Sequence, residues 1–257
     1  MSAQPAIATG PAKTIDEVIA RLDAVISEAA REGSRLGYFA ALYRNVTVEV
    51  KRGIAQGRFA DGARMERLDV NFANRYLTAL SDYRHHQPTP HCWAASFRAA
   101  GAWPPIVLQH LLLGMNAHIN LDLGAAAALT CPGAQLPPLK ADFDEINNIL
   151  TAMTGGVQLQ LAKISRWMRL LDLVGGRTER AVLNWSIDVA RDEAWRLAEQ
   201  LASLAPAEQQ RVLVRRDNET AALAFIVRHP GALVSTANFI VRLSEPASAG
   251  KIMAILA

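Results

Sequence analysis

The residues best suited to chemistry lie in one segment that mixes polar and large apolar side chains, His110 to Asp122. Its ionisable and amide members are His110, Asn116, His118, Asn120 and Asp122. A segment this apolar is predicted to be buried. Buried imidazole, amide and carboxylate groups are costly unless they are hydrogen-bonded, paired or bound to a metal ion. The segment is therefore predicted to be either a structural polar network or a functional site.

The spacing within this segment favours a pair of ligands for one metal ion over a larger cluster of ligands. On a helix, intervals of four residues place His110, Gly114, His118 and Asp122 along one stripe. His118 and Asp122, one turn apart, could bind one ion together, or Asp122 could accept the His118 N–H and orient the ring. His110 lies roughly 12 Å from His118 along a regular helix, too far to share that ion. Gly114 costs about 1 kcal/mol relative to alanine and would leave space for a ligand or a close-packed helix.

A second candidate acid lies on an apolar helix face. The face predicted within residues 64–83 consists of Met65, Leu68, Phe72, Tyr76 and Leu80. At about 100° per residue, Asp69 falls inside this face. A carboxylate in a core requires a cation, a metal or several donors. Asp69 is therefore predicted either to pair with a nearby arginine or to meet His118 and Asp122.

Tyr43 is a further candidate, because it lies on the apolar face of its own predicted helix. It would either bring a hydroxyl group into a pocket or pack as an ordinary core tyrosine.

The leading hypothesis from these residues is a metal-dependent, hydrolytic enzyme for a small, largely apolar substrate in a helical pocket. Three side chains would hold a divalent zinc, iron or manganese ion: His118, Asp122 and Asp69. The ion would lower the pKa of a bound water and polarise the substrate oxygen. His110 would exchange protons, and Asn116 and Asn120 would orient the substrate.

The competing hypothesis is a non-enzymatic helical protein. The same side chains would then form a buried structural network with arginines or backbone groups, and a pocket would bind an apolar ligand.

Composition limits the partners of this chain of 257 residues. The net charge of +3 is too small to indicate nucleic-acid binding. Two cysteines, Cys92 and Cys131, do not form a disulfide framework, which predicts a reduced, cytoplasmic protein. No uninterrupted apolar run reaches the roughly 18 residues of a membrane-spanning helix. The expected partners are a small-molecule substrate or apolar ligand, with a homo-oligomer left open.

Several enzyme classes lack their sequence signals here. The chain contains no glycine-rich phosphate loop, no Gly-x-Ser-x-Gly elbow and no His-Glu-x-x-His motif. It also contains no Glu-x-x-His pair of the kind used by ferritin-like di-iron proteins.

Helical patterns follow one another along the chain and predict an all-α fold. We expect a single multi-helix domain at 14–257, built around a buried central helix at about 104–129, with residues 1–13 as a disordered tail. Within the central segment, the 11 residues from Leu113 to Leu123 alternate as in a strand. Strands usually have about five or six residues, so this length and the helical neighbours favour a helix.

Local signals give the element boundaries. Thr14 and Glu17 form a predicted capping box, and Gly33 ends that first helix. The next helices are expected at about 36–54, 61–83 and 93–100. Three later helices are expected to begin at Pro206 and to lie near Thr236 and Ala249.

Between these regions, proline, aspartate and glycine mark further boundaries. Pro104 and Pro105 suit the first turn of the central helix. Asp142 is predicted to cap the next helix. The glycine pairs at 155–156 and 175–176 are predicted to separate two more helices.

Three runs of the sequence carry a resemblance to a bacterial family of unknown function. They are Leu-Gly-Tyr-Phe-Ala-Ala-Leu-Tyr-Arg at 36–44, Arg-Met-Glu-Arg-Leu-Asp-Val-Asn-Phe-Ala-Asn-Arg-Tyr at 64–76, and Leu-Gln-His-Leu-Leu-Leu-Gly-Met-Asn-Ala-His-Ile-Asn-Leu-Asp-Leu at 108–123. The resemblance extends over most of the chain and implies an all-α fold without implying an activity.

The pair His118-x-x-x-Asp122 is also similar to one ligand pair of zinc-dependent phospholipases C and single-strand nucleases. Those enzymes use more histidine and aspartate ligands and a tryptophan at the mature N-terminus. This chain departs from them, because it begins with Met1 and has only six histidines. These departures argue against a trinuclear zinc site and leave a single-ion or reduced version of it open.

Overall fold

The computed structural model describes residues 10–103, 105–165 and 187–257. These residues form helices joined by short connections and contain no β-strand, which confirms the predicted all-α class. The α-helices are α1 Ile15–Glu32, α2 Gly37–Ala55, α3 Gly62–Arg84, α4 His91–Ala100, α5 Val107–Ala117, α6 Gly124–Thr130, α7 Lys140–Ile164, α8 Ile187–Ala202, α9 Pro206–Arg228, α10 Ala232–Ser244 and α11 Ala249–Leu256. A π-helix, His118–Leu123, joins α5 to α6.

The first helix begins and ends where local chemistry predicts. Thr14 Oγ1 accepts a hydrogen bond from the Glu17 backbone N–H at 3.2 Å. In a capping box the Glu17 carboxylate would accept from the N–H of Thr14. Here it accepts from the N–H of the preceding residue, Lys13. Gly33 ends α1 with φ of 65°, in the left-handed region that favours glycine. The bounds of α2, α3 and α4 also agree with the prediction to within two residues.

The predicted tail falls mostly outside the part of the chain that the structure describes, which begins at residue 10. Ala12, within the predicted tail, is buried. Its N–H donates to Asn74 Oδ1 at 2.8 Å, and its carbonyl oxygen accepts from Asn74 Nδ2 at 2.9 Å.

The predicted start of the central helix is wrong at Pro105. The helix begins two residues later, at Val107, and Pro104 lies outside the described residues. The side-chain oxygen of Gln109 accepts a hydrogen bond from the Ile106 N–H at 3.1 Å. The free N–H at this helix start is therefore satisfied by a glutamine side chain.

Asp142 does not cap α7, which begins at Lys140. Its buried carboxylate instead accepts from the backbone N–H groups of Ala60 and Asp61, at 2.6 and 3.1 Å. Arg64 donates to the same carboxylate at 2.6 Å. Asp142 therefore fixes the start of α3 to α7, a contact between residues about 80 positions apart in the sequence.

The glycines at 155–156 do not separate two helices, because α7 continues through them. Burial of Phe143, Ile146 and Ile149 on one face of α7 offsets the helix-propensity cost of about 1 kcal/mol per glycine. The pair at 175–176 lies outside the described residues. The later predictions are confirmed: α9 begins at Pro206, and α10 and α11 include Thr236 and Ala249.

The central helix (α5, the π-helix and α6, residues 107–130) is buried as predicted, and α2, α3, α4, α8 and α9 pack against it. Its regular 3.6-residue spacing is interrupted from His118 to Leu123. A π-turn inserts one extra residue and rotates the side chains that follow it. The position of Asp122, the last residue of the predicted stripe, is therefore set by a π-helix that was not predicted from the sequence.

Gly114 serves close packing between helices. A Cβ atom at this position would lie 2.4 Å from two ring atoms of Phe39 on α2 and 2.9 Å from the Phe39 Cβ. Because the last of these atoms is fixed to the backbone, Phe39 cannot simply rotate away. Of the two roles considered for Gly114, space for a ligand and close packing of a neighbouring helix, the structure supports close packing.

We expect Gly114→Ala to lower the free energy of unfolding by about 1–3 kcal/mol through overpacking. Gly155→Ala is the matched control, because a Cβ there meets no described atom within 4 Å and the helix gains up to about 1 kcal/mol. Urea unfolding would measure the difference in the free energy of unfolding between the two variants. Equal stabilities would contradict the expectation and show that Phe39 and α2 can move aside at little cost.

No single described helix is long and apolar enough to cross a membrane. By length and composition alone, the bent pair α9 and α10 passes the same test together, with a bend of 70° between them.

Candidate functional site

A cavity of about 220 Å³ lies between α2, α3, the central helix and α7, with the first turns of α8 at its edge. Its wall is predominantly apolar. Representative lining residues are Val50, Leu68, Phe72, Met115, Phe143 and Ile146. Four lining side chains carry a polar group: Tyr43, Asp69, His118 and Arg191. The arrangement is a partly open apolar cavity with a few polar groups on its wall, which is typical of small-molecule sites.

Asp69 is buried on this wall, with 7% of its surface exposed. Its Oδ2 atom has no hydrogen-bond partner among the described residues, and no described arginine forms an ion pair with it. Burial, together with the smaller effect of the nearby Glu66 carboxylate, raises the pKa of the Asp69 carboxyl from its ordinary 3.8 to about 7. Of the two predicted partners, the arginine is absent here and His118 shares the cavity wall.

His118 lies within a cluster of aromatic rings. Its imidazole stacks on Phe72 with ring centres 3.5 Å apart, and its centre lies 4.4 Å from that of Tyr43. Burial lowers the pKa of His118, although the Asp122 carboxylate opposes this effect. The ring is therefore neutral near pH 7. Neither of its nitrogens has a hydrogen-bond partner within the described part of the chain.

Asp122 has its own partners outside the cavity wall. Its two oxygens accept from Arg75 Nε at 2.9 Å and from Trp93 Nε1 at 2.8 Å. Oδ2 also lies 3.5 Å from His118 Nδ1. The predicted proximity of His118 and Asp122 is therefore present, but the Asp122 carboxylate is already bound by two donors.

The two candidate amides connect the central helix to α9. Asn120 Nδ2 donates to Asn116 Oδ1 at 3.0 Å, and Asn116 Nδ2 donates to the Thr220 carbonyl oxygen at 2.9 Å. Arg216 Nε donates to the Asn120 carbonyl oxygen at 2.8 Å. These contacts hold helices together, and neither asparagine lines the cavity. Their predicted role in orienting a substrate stays a prediction.

His110 lies apart from the cavity and packs edge-on against Tyr38, with ring centres 5.6 Å apart. Burial, together with the smaller effects of the charges of Arg35 and Arg242, lowers the pKa of His110 to about 3. At neutral pH the imidazole is uncharged, so it is poorly matched to proton exchange. Its predicted catalytic role also stays a prediction.

The predicted metal ligands are only partly brought together. Asp69 and His118 share the cavity wall, whereas Asp122 is bound to Arg75 and Trp93. Over the described ranges, no group of three or more histidine, cysteine, aspartate or glutamate side chains is arranged to hold a metal ion. Binding of zinc, iron or manganese stays a prediction from the sequence.

Sequence reasoning missed two features of this region. One is the wall contributed by α7, because an apolar helix face does not show whether its neighbours leave a space. The other is the Trp93 indole as a donor to Asp122. The available signal was that a buried indole N–H needs an acceptor.

Comparisons with known proteins identify the family of the chain but not an activity. The model of a family of unknown function, DUF5995, matches residues 15–230. The matched range extends from the start of α1 beyond the end of α9 and contains all residues that line the cavity. No curated protein and no solved structure matches the chain, and the resemblance to zinc-dependent phospholipases C is not supported. The chain belongs to the DUF5995 family, whose function is unknown.

Proposed function

We propose that the chain binds a small, largely apolar ligand in the cavity between α2, α3, the central helix and α7. The observation that carries this proposal is the cavity volume of about 220 Å³ behind an apolar wall. An apolar cavity of about 150 Å³ in another protein binds benzene. The space here therefore accommodates an aromatic ring with a short substituent.

The size of the cavity supports the same proposal. Protein interiors are normally close-packed and contain few voids larger than a water molecule. An apolar space of about 220 Å³ between the described helices departs from that packing. Occupation by a ligand gives a physical reason for retaining it.

The contacts of the other candidate residues favour binding over metal-dependent hydrolysis. Asn116, Asn120 and Asp122 have partners within the fold, and none of them lines the cavity. Metal-dependent hydrolysis is the competing proposal, and metal analysis separates the two. Near-stoichiometric zinc, iron or manganese that is lost in His118→Ala would favour the enzyme. Homo-oligomerisation and a cytoplasmic location stay predictions from the sequence.

Narrowing the cavity should weaken ligand binding. Ile146 lines the cavity from α7 and is buried, so Ile146→Phe places a larger side chain in the same space. We expect benzene and indole to raise the melting temperature of the wild type, because a ligand that binds only the folded state stabilises it. Both compounds should raise the melting temperature of Ile146→Phe less than that of the wild type, and indole, the larger of the two, should lose most of its effect.

Ile226→Phe is the matched control, since Ile226 is exposed on α9 and does not line the cavity. It should respond to benzene and indole as the wild type does. Calorimetric titration would give the affinities. An unresponsive wild type, or an Ile146→Phe variant that responds equally, would refute the proposed site.

A further inference from the structure

Asp69 differs from the other buried acids of the described chain in having no cation. The other three each contact an arginine: Asp122 contacts Arg75, Asp142 contacts Arg64, and Glu245 contacts Arg242. Aspartate is rarely buried without such a pair. Asp69 nevertheless lies on the cavity wall with an unpartnered carboxylate oxygen, as far as the structure describes the chain. This position leaves space for a partner that comes from outside the protein.

Within the described part of the chain, no positively charged group pairs with Asp69. Glu66, on the same helix, adds a second negative charge, while buried Tyr43 and His118 are uncharged at neutral pH. The α7 residues on the cavity wall are apolar. Arg191 of α8 also lines the cavity and is positively charged, but it donates to Asn147 Oδ1 and to the Phe143 carbonyl oxygen, and it does not shift the pKa of Asp69 as Glu66 does. The potential at Asp69 therefore favours a cation.

The neighbouring polar groups are suited to the same kind of ligand. Tyr43 Oη and His118 Nε2 have no hydrogen-bond partner among the described residues, and His118 Nδ1 lies 3.5 Å from the Asp122 carboxylate. A hydroxyl oxygen and the unprotonated nitrogen of a neutral imidazole are both acceptors, as is a carboxylate. A primary ammonium group has three N–H donors and no acceptor.

We propose that the ligand is a small apolar amine whose ammonium group pairs with Asp69 while its hydrocarbon part fills the cavity. This inference rests on the proposed function, because it names the chemical class of ligand for the same cavity. A divalent metal ion fits the site less well, since such ions take several protein ligands and the described residues contain no group of three.

Three compounds of similar size and different charge test the inference: 2-phenylethylamine, 2-phenylethanol and 3-phenylpropanoate. Calorimetric titrations at pH 8 with EDTA present would exclude metal-mediated binding. A hydrogen bond to a charged group should make the amine bind about 10- to 100-fold more tightly than the alcohol. The carboxylate should bind most weakly.

The variant Asp69→Asn keeps the shape of the side chain and removes its charge. It should reduce the preference for the amine to about twofold or less and leave the affinity for 2-phenylethanol nearly unchanged. Asp82→Asn is the matched control, because Asp82 lies on the same helix but not on the cavity wall. This control should retain the full preference.

The possible results distinguish the two proposals. Equal affinities for amine and alcohol, a preference that survives Asp69→Asn, or tightest binding of 3-phenylpropanoate would overturn the amine inference and leave the apolar cavity intact as a binding site. Failure of both the amine and the alcohol to bind the wild type would overturn the proposed function together with the inference.

Discussion

Asp69→Asn should raise the free energy of unfolding by about 4 kcal/mol at pH 8 and leave it nearly unchanged near pH 4. The cause is burial, which raises the pKa of Asp69 from 3.8 to about 7. Each pKa unit by which the folded and unfolded states differ changes the free energy of unfolding by about 1.4 kcal/mol. The asparagine side chain has nearly the same shape and does not ionise, so it avoids the cost of a buried charge.

The direction of the pH dependence follows from proton binding. The folded state holds the Asp69 proton more tightly than the unfolded state. The stabilising contribution of the protonated carboxyl is therefore complete below about pH 4 and is lost as the pH rises to about 7. Above pH 7 both states are ionised and the folded protein carries the full cost of burying the charge.

Denaturant unfolding of wild type and Asp69→Asn at several pH values between 4 and 8 measures this effect. The difference between the two proteins isolates Asp69 from the other titrating groups. Parallel stability curves would contradict the account, because they would mean that Asp69 is satisfied in the ligand-free protein. A gain in stability from removing a residue that binds ligand is the usual trade-off at functional sites.

Asp122→Asn should have the opposite effect and lower the free energy of unfolding by about 3 kcal/mol. The change removes the charge that pairs with Arg75 and weakens the acceptor for the Trp93 indole N–H. The expected loss is at the low end for a broken buried pair, because the Arg75 side chain is 30% exposed and retains part of its hydration.

Asp144→Asn provides the matched control for this variant. Asp144 forms an ion pair with Lys140 on the surface of α7, where both side chains are at least 40% exposed. Exposed pairs contribute about 1 kcal/mol or less, so the control should change stability little. Metal content measured on the same samples adds a second test. Unchanged stability with a loss of bound metal in Asp122→Asn would show that Asp122 is a ligand rather than a structural acid.

The sequence predicted those parts of the fold that local chemistry determines. Thr14 and Gly33 set the ends of α1 through a hydroxyl cap and a left-handed backbone, which require only neighbouring residues. Asp69 was placed on a core face by helical periodicity alone, and the structure confirms that it is buried. Burial of the polar residues from His118 to Asp122 followed in the same way from their apolar neighbours.

The remaining features depend on contacts between distant parts of the chain. No local rule predicts that the central helix widens at His118, because the π-helix reflects packing against several other helices. Asp142 likewise binds at the start of α3 instead of capping its own helix, and its partner Arg64 lies 78 residues away in the sequence. Whether Asp122 would meet a metal ion or Arg75 could not be read from spacing, since both alternatives satisfy a buried carboxylate.

The most direct test of the central claim is a crystal structure of the protein soaked with 2-(4-bromophenyl)ethylamine, with bromine located by its anomalous scattering. The account predicts one bromine site inside the cavity, near the α7 residues Phe143 and Ile146, and the amino nitrogen within hydrogen-bond distance of the Asp69 carboxylate. Bromine found only at the protein surface, with the cavity unoccupied, would contradict the claim that this cavity binds small apolar amines.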